Sequence, residues 1–108
     1  MEALYYKKGC SPKIISCETN NLSALIGDNS HVEILLDGLC AIWNADAPTS
    51  RDNTYLNRNV YLPKFENNHV EVIPFRMSSD FIVCGYENGI FQNVPIDKLK
   101  EIKAMFGF

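Results

Sequence analysis

The chain has 108 residues, 46% of them hydrophobic and 21% charged, with a net charge of −3 and a pI near 5.3. This length suits one domain around a single core, and the composition excludes a wholly disordered chain. The acidic balance excludes the broad basic field of a protein that coats duplex nucleic acid. No apolar run approaches the roughly 20 residues that span a bilayer. The start, Met1-Glu2-Ala3-Leu4-Tyr5-Tyr6-Lys7, lacks the cationic lead and long apolar core of a secretion signal. The expectation is a soluble protein of the cytoplasm, with no membrane partner.

In chain order, Ala3 to Lys7 reads as a first strand and Lys13 to Cys17 as a second. The Lys8-Gly9-Cys10-Ser11-Pro12 turn between them is short, so the two should pair antiparallel. Asn20 or Asn21 caps a short helix near residues 21–26, with Leu22, Leu25 and Ile26 inward and Gly27 ending it. His31 to Leu36 and Leu39 to Trp43 are apolar at nearly every position, which predicts central strands. Asp37-Gly38 between them is a strong hairpin signal. From Asn44 to Asn59 the pattern dissolves into NADAPTSRDNTYLNRN, which predicts a long polar loop over 44–59. Val60 to Leu62 reads as a short edge strand closed by Pro63, and Lys64 to Asn68 as a polar turn. Strands follow at Val70–Phe75, Phe81–Gly85 and Ile90–Val94, with an Asn88-Gly89 turn before the last. Ile96, Leu99, Ile102 and Phe106 recur at helical spacing behind Pro95, and Gly107 suits the stop. The predicted fold class is therefore α+β over residues 1–108. It is a mostly antiparallel sheet of about six to seven strands carrying a C-terminal amphipathic helix.

Four cysteines occur, at Cys10, Cys17, Cys40 and Cys84, without a CxxC pair, and there are only two histidines, His31 and His69. Zinc knuckle spacing is absent, so no metal or cofactor is expected. Three of the cysteines lie in apolar runs and read as buried free thiols. Eleven asparagines, several paired, read as turn chemistry.

The residues that could carry recognition are Trp43, Asn44, Asn57, Arg58 and Arg76, with Asp46 and Arg51 nearby in sequence. A guanidinium forks onto phosphate or carboxylate, an indole stacks on a base, and an amide reads a base edge. Each also has a plainer reading. Trp43 suits the core, Arg58 can pin the loop by pairing with Asp46 or Asp52, and Arg76 suits a solvated turn. No phosphate loop, nucleophile elbow or paired-carboxylate arrangement specifies catalysis, and no catalytic residue is assigned. Tyr5, Tyr6, Tyr55, Tyr61, Tyr86 and Phe108 are many aromatics for one interior. Their number predicts a protein interface, with homo-oligomerisation through an edge strand or a tyrosine-bearing face.

Several of these segments carry a resemblance. They are the N-terminal strand pair and helix, the Trp43-Asn44 step and the Leu56-Asn57-Arg58 run. The ending Glu71-Val72-Ile73, Phe81-Ile82-Val83-Cys84-Gly85, Gly89-Ile90-Phe91 and a helix finishing in an aromatic completes the pattern. Together these resemble the domain of unknown function 3846 family, small proteins carried by phages, plasmids and integrated elements of bacteria. The family's Asn-acid-acid-Gly turn corresponds to Asn44-Ala45-Asp46-Ala47 here, without the glycine. The resemblance implies a mobile-element origin and the cytoplasm of a bacterial host, and no established activity.

The functional expectation is a non-enzymatic binding protein acting on a host component. Its ligand would be a small anionic, nucleotide-type signal sequestered in counter-defence. The alternative is an inhibitor or adaptor docking on a host enzyme, and a small hydrolase is a third reading.

Overall fold

The computed structural model describes residues 1–35, 38–46 and 56–107. Every paired strand in it is antiparallel. Strands β1 (Glu2–Tyr6) and β2 (Lys13–Ser16) form the expected first hairpin. A short helix, α1 (Leu22–Ile26), leads into β3 (Ser30–Ile34) and β4 (Leu39–Asn44). Two long strands follow, β5 (Leu56–Glu66) and β6 (His69–Ser78). The chain closes with β7 (Phe81–Glu87), β8 (Ile90–Gln92) and α2 (Leu99–Phe106).

The main sheet has six strands in the order β2-β1-β7-β4-β3, with β8 also paired to β7. β5 and β6 form a separate two-stranded ribbon. Alternation along the strands divides the core into two layers. One layer gathers Leu4, Tyr6, Leu39, Ala41, Phe81 and Val83 with Val60 and Met77 of the ribbon and Ile102 and Phe106 of α2. Tyr6 lies opposite Phe81 in the register and stacks on it, with centroids 4.5 Å apart, while Phe106 tilts against both rings. The other layer gathers Ala3, Tyr5, Cys17, Cys40, Ile42, Ile82 and Cys84 beneath Leu22 and Ile26 of α1.

The polar stretch expected as a loop over 44–59 divides differently. Asn44 ends β4, Ala45 and Asp46 turn, and Leu56–Asn59 belong to β5. Residues 47–55, with Arg51, Asp52 and Tyr55, lie outside the described residues, as do Leu36 and Asp37 of the expected hairpin turn and Phe108.

Pro63 does not close a short edge strand. It sits within β5 opposite Val72, and Pro74 sits within β6 opposite Tyr61. The turn between these strands has two residues, Asn67 and Asn68, both at positive φ (49° and 61°). A two-residue turn makes Glu66 and His69 a hydrogen-bonded pair. Counting back, Pro63–Val72 and Tyr61–Pro74 are non-hydrogen-bonded pairs, so each proline nitrogen faces away from the ladder. A two-stranded ribbon is all edge, so neither proline costs it a ladder bond.

Ile96 departs from the expected buried helix face. It opens a 3-10 turn (Ile96–Lys98) ahead of α2 and is 64% exposed. Ile96 thus precedes the α-helix, and the buried stripe begins within it, at Ile102 and Phe106.

Candidate functional site

The ribbon leans over one corner of the main sheet, and the space beneath it is a cleft of about 520 Å³ lined by His31, Glu33, Ile34, Trp43, Leu62, Pro63, Ile73 and Phe75. Strand periodicity explains who lines it. His31 lies opposite Trp43 and Glu33 opposite Ala41, so these side chains share one face of the sheet. Leu62 lies opposite Ile73, and Val60 opposite Phe75, on the inner face of the ribbon. Val60, nearer the base, is fully buried in the core with Ile102 and Phe106, whereas Leu62 only partly packs against it. The ribbon thus outruns the helix that supports its base.

Trp43 is the hinge of the site. Its ring lies 4.7 Å from the His31 ring and 5.6 Å from that of Phe75, both tilted. Trp43 and Phe75 also line a smaller adjoining hollow of about 60 Å³, with Asn44, Ala45, Arg76, Met77 and Ser78. Three sequence candidates, Trp43, Asn44 and Arg76, therefore come together. Asn44 folds its own turn, its Oδ1 accepting the Asp46 N–H at 2.8 Å. His31 Nε2 lies 3.0 Å from Glu33 Oε2, with both side chains nearly half exposed. Beyond that pair the main cleft wall is apolar.

Asn57 and Arg58 stand apart from the cleft. The Asn57 Nδ2 donates to the Tyr6 carbonyl (2.9 Å) and to the Ser79 carbonyl (2.8 Å). The Asn57 Oδ1 accepts from Arg58 Nε at 3.2 Å. Arg58 Nη2 donates to the Cys10 carbonyl at 3.0 Å, and the guanidinium carbon lies 4.6 Å from the Tyr6 ring centroid. Arg58 does pin its segment to the sheet, and its partners among the described residues are the Cys10 carbonyl, the Asn57 amide oxygen and the Tyr6 ring; Asp52 lies outside the described residues. Asp46 instead accepts from Asn29 Nδ2. Asp80 accepts the Lys8 N–H and the Tyr5 hydroxyl.

Burial pushes the Tyr6 hydroxyl up to about 12, against the opposing influence of Arg58. Cys40 and Cys84 lie opposite each other on β4 and β7 with their sulfurs 3.6 Å apart. The hydrogen bond between the two sulfurs holds Cys84 up and Cys40 down, and burial pushes Cys17 up. All four cysteines are free, and only Cys10 is exposed. Among the described residues, no group of three or more His, Cys, Asp or Glu side chains converges to hold a metal ion. No helix there is long and apolar enough to cross a membrane.

His31, Glu33, Leu62, Ile73 and Phe75 were not among the sequence candidates. The mirror alternation Val60-x-Leu62 and Ile73-x-Phe75 about Asn67-Asn68 places the ribbon residues on one face of one long hairpin, but nothing local marks their meeting with His31, Glu33 and Trp43. No family model matches this chain, and neither the curated proteins nor the solved structures contain a match.

Proposed function

We propose that the protein is a non-enzymatic binding module that docks an extended, largely apolar segment of another protein beneath the β5–β6 ribbon. The observation that carries this is the apolar cleft beside an open sheet edge. The cleft falls in the range of about 300–1,000 Å³ usual for ligand sites. One of its walls is β3, the last strand of the main sheet, and among the described residues nothing pairs with its outer edge. A segment added there gains backbone hydrogen bonds along β3 and places alternate side chains in the cleft.

The same geometry favours a protein segment over a nucleotide-type anion. Arg58, the natural anion grip, commits its Nε and Nη2 to Asn57 and Cys10, over the Tyr6 ring and apart from the cleft. The action on a host component, and the setting in a phage or mobile element of a bacterial cell, enter this proposal from the family resemblance.

Panning a displayed peptide library against the immobilised protein tests the reading. Selected peptides should perturb Trp43 emission and bind an Ile73→Arg variant, whose cleft is filled, at least about tenfold more weakly, about 1.4 kcal/mol. Peptides that bind the folded variant equally well would refute it. A mass of two chains in solution, with Trp43 shielded from quenchers, would instead make a second copy the occupant.

A further inference from the structure

We infer that the segment docked against β3 presents a lysine or arginine opposite Glu33, its aliphatic stem lying across the aromatic floor of the cleft. This rests on the docking reading and names the residue that the site selects.

The argument begins with register. Glu33 shares its face of the sheet with Trp43 and His31. A residue added across the open edge, directly opposite Glu33, has its Cβ about 4.5–5.5 Å away and points to that same face. It therefore enters the cleft and not the α1 side of the sheet. The chemistry there is specific. Glu33 supplies the cleft's carboxylate, and it stays 42% exposed beside a histidine. The surrounding wall is Trp43, Phe75, Leu62 and Ile73.

A carboxylate at the rim of an apolar, aromatic trough suits a side chain that is greasy along its length and cationic at its tip. Lysine and arginine bury their methylene stems while keeping the head in water. An indole face adds attraction for the cation. An acidic residue opposite Glu33 would meet a like charge, which is destabilising across a strand pair. A norleucine would fill the trough but bring Glu33 no cation beyond the neighbouring His31. The net charge of −3 adds a weak long-range attraction for a basic segment.

The test uses the full chain, in which Trp43 is the single tryptophan, so that intrinsic emission reports on the cleft. Two blocked tripeptides, acetyl-Val-Lys-Val-amide and acetyl-Val-norleucine-Val-amide, are titrated at low salt. The lysine peptide should bind about tenfold more tightly, from one exposed ion pair plus one cation–π contact. Glu33→Gln, an exposed edge-strand change, should reduce that preference to about threefold or less. His31→Phe keeps a ring and frees the carboxylate, so it should preserve or widen the preference. Equal binding of the two peptides to the parent overturns this inference and leaves apolar docking standing. A lysine preference that survives Glu33→Gln intact also overturns it. If neither peptide alters Trp43 emission, both readings fall.

Discussion

Removing the Asn57 amide should unfasten the ribbon from the sheet without touching the cleft. In the folded chain its Nδ2 satisfies the Tyr6 and Ser79 carbonyls, and its Oδ1 orients Arg58 over Tyr6. Each partly buried hydrogen bond contributes about 0.5–1.5 kcal/mol net, and a buried acceptor left bare costs about 1–3 kcal/mol. Losing two donors at once and slackening a third contact places Asn57→Ala at about 3 kcal/mol. Unfolding entropy of about 2.1 cal/mol/K per residue gives about 0.23 kcal/mol/K for a chain of this length, so the midpoint should fall by about 13 °C. Asn57→Asp keeps the shape but sets an anionic oxygen against two carbonyl oxygens, so it should destabilise at least as much. Urea and thermal unfolding followed by circular dichroism measure both variants. Trp43 emission, titrated with a cleft-binding peptide below the melting point, measures the site. An Asn57→Ala variant within about 0.5 kcal/mol of the parent, or one that keeps its stability but loses peptide, would refute the reasoning and return Asn57 to recognition.

Two further outcomes follow from buried groups. The Tyr6 hydroxyl titrates higher in the folded chain than its ordinary value of 10.0, near 12. Its stabilising share should therefore be intact below pH 10 and drain away as pH rises towards 12; a urea midpoint for the parent that is flat from pH 9 to 12, or that falls equally in Tyr6→Phe, would contradict this. An aqueous thiol reagent should label one cysteine in the native protein, Cys10, and the other three only on unfolding. Access decides this even for Cys40, whose thiol is held down by Cys84, because its sulfur lies in the core. Mass spectrometry of the peptides reads the result, and early labelling of Cys40 or Cys84 would show a looser sheet.

The elements with strong local signals were legible from residues alone. The first hairpin, α1, the central β4 and β7 and the C-terminal helix each combine periodicity with Gly or Asn punctuation. The α+β class followed from them. The ribbon was not legible as one piece, because Pro63 reads as the end of a short strand and Pro74 as a bulge, an edge or a strand end, whereas both lie inside long strands. Their tolerance depends on which way each nitrogen points, and that is set by the distant Asn67-Asn68 turn. The site was half legible. Trp43, Asn44 and Arg76 were found as chemistry-bearing side chains, and they do converge. Arg58 carried the right functional group for recognition, yet its neighbours, Tyr6 and Cys10, are far away in sequence. His31, Glu33 and Phe75 give no local sign, since their meeting with Trp43 is a matter of strand order and not of spacing.

The two prolines bear on how copies of this chain behave at high concentration. Pro63 interrupts the donor row on one flank of the ribbon and Pro74 the row on the other. A neighbour trying to zip onto either flank meets a ring where it needs an amide hydrogen, so sideways growth into a fibre stalls after a few residues. The long arm can therefore leave Tyr61, Val70 and Val72 open to solvent with less hazard of runaway stacking, while β3, which holds no proline, keeps the donors that point away from β4 for a chosen guest.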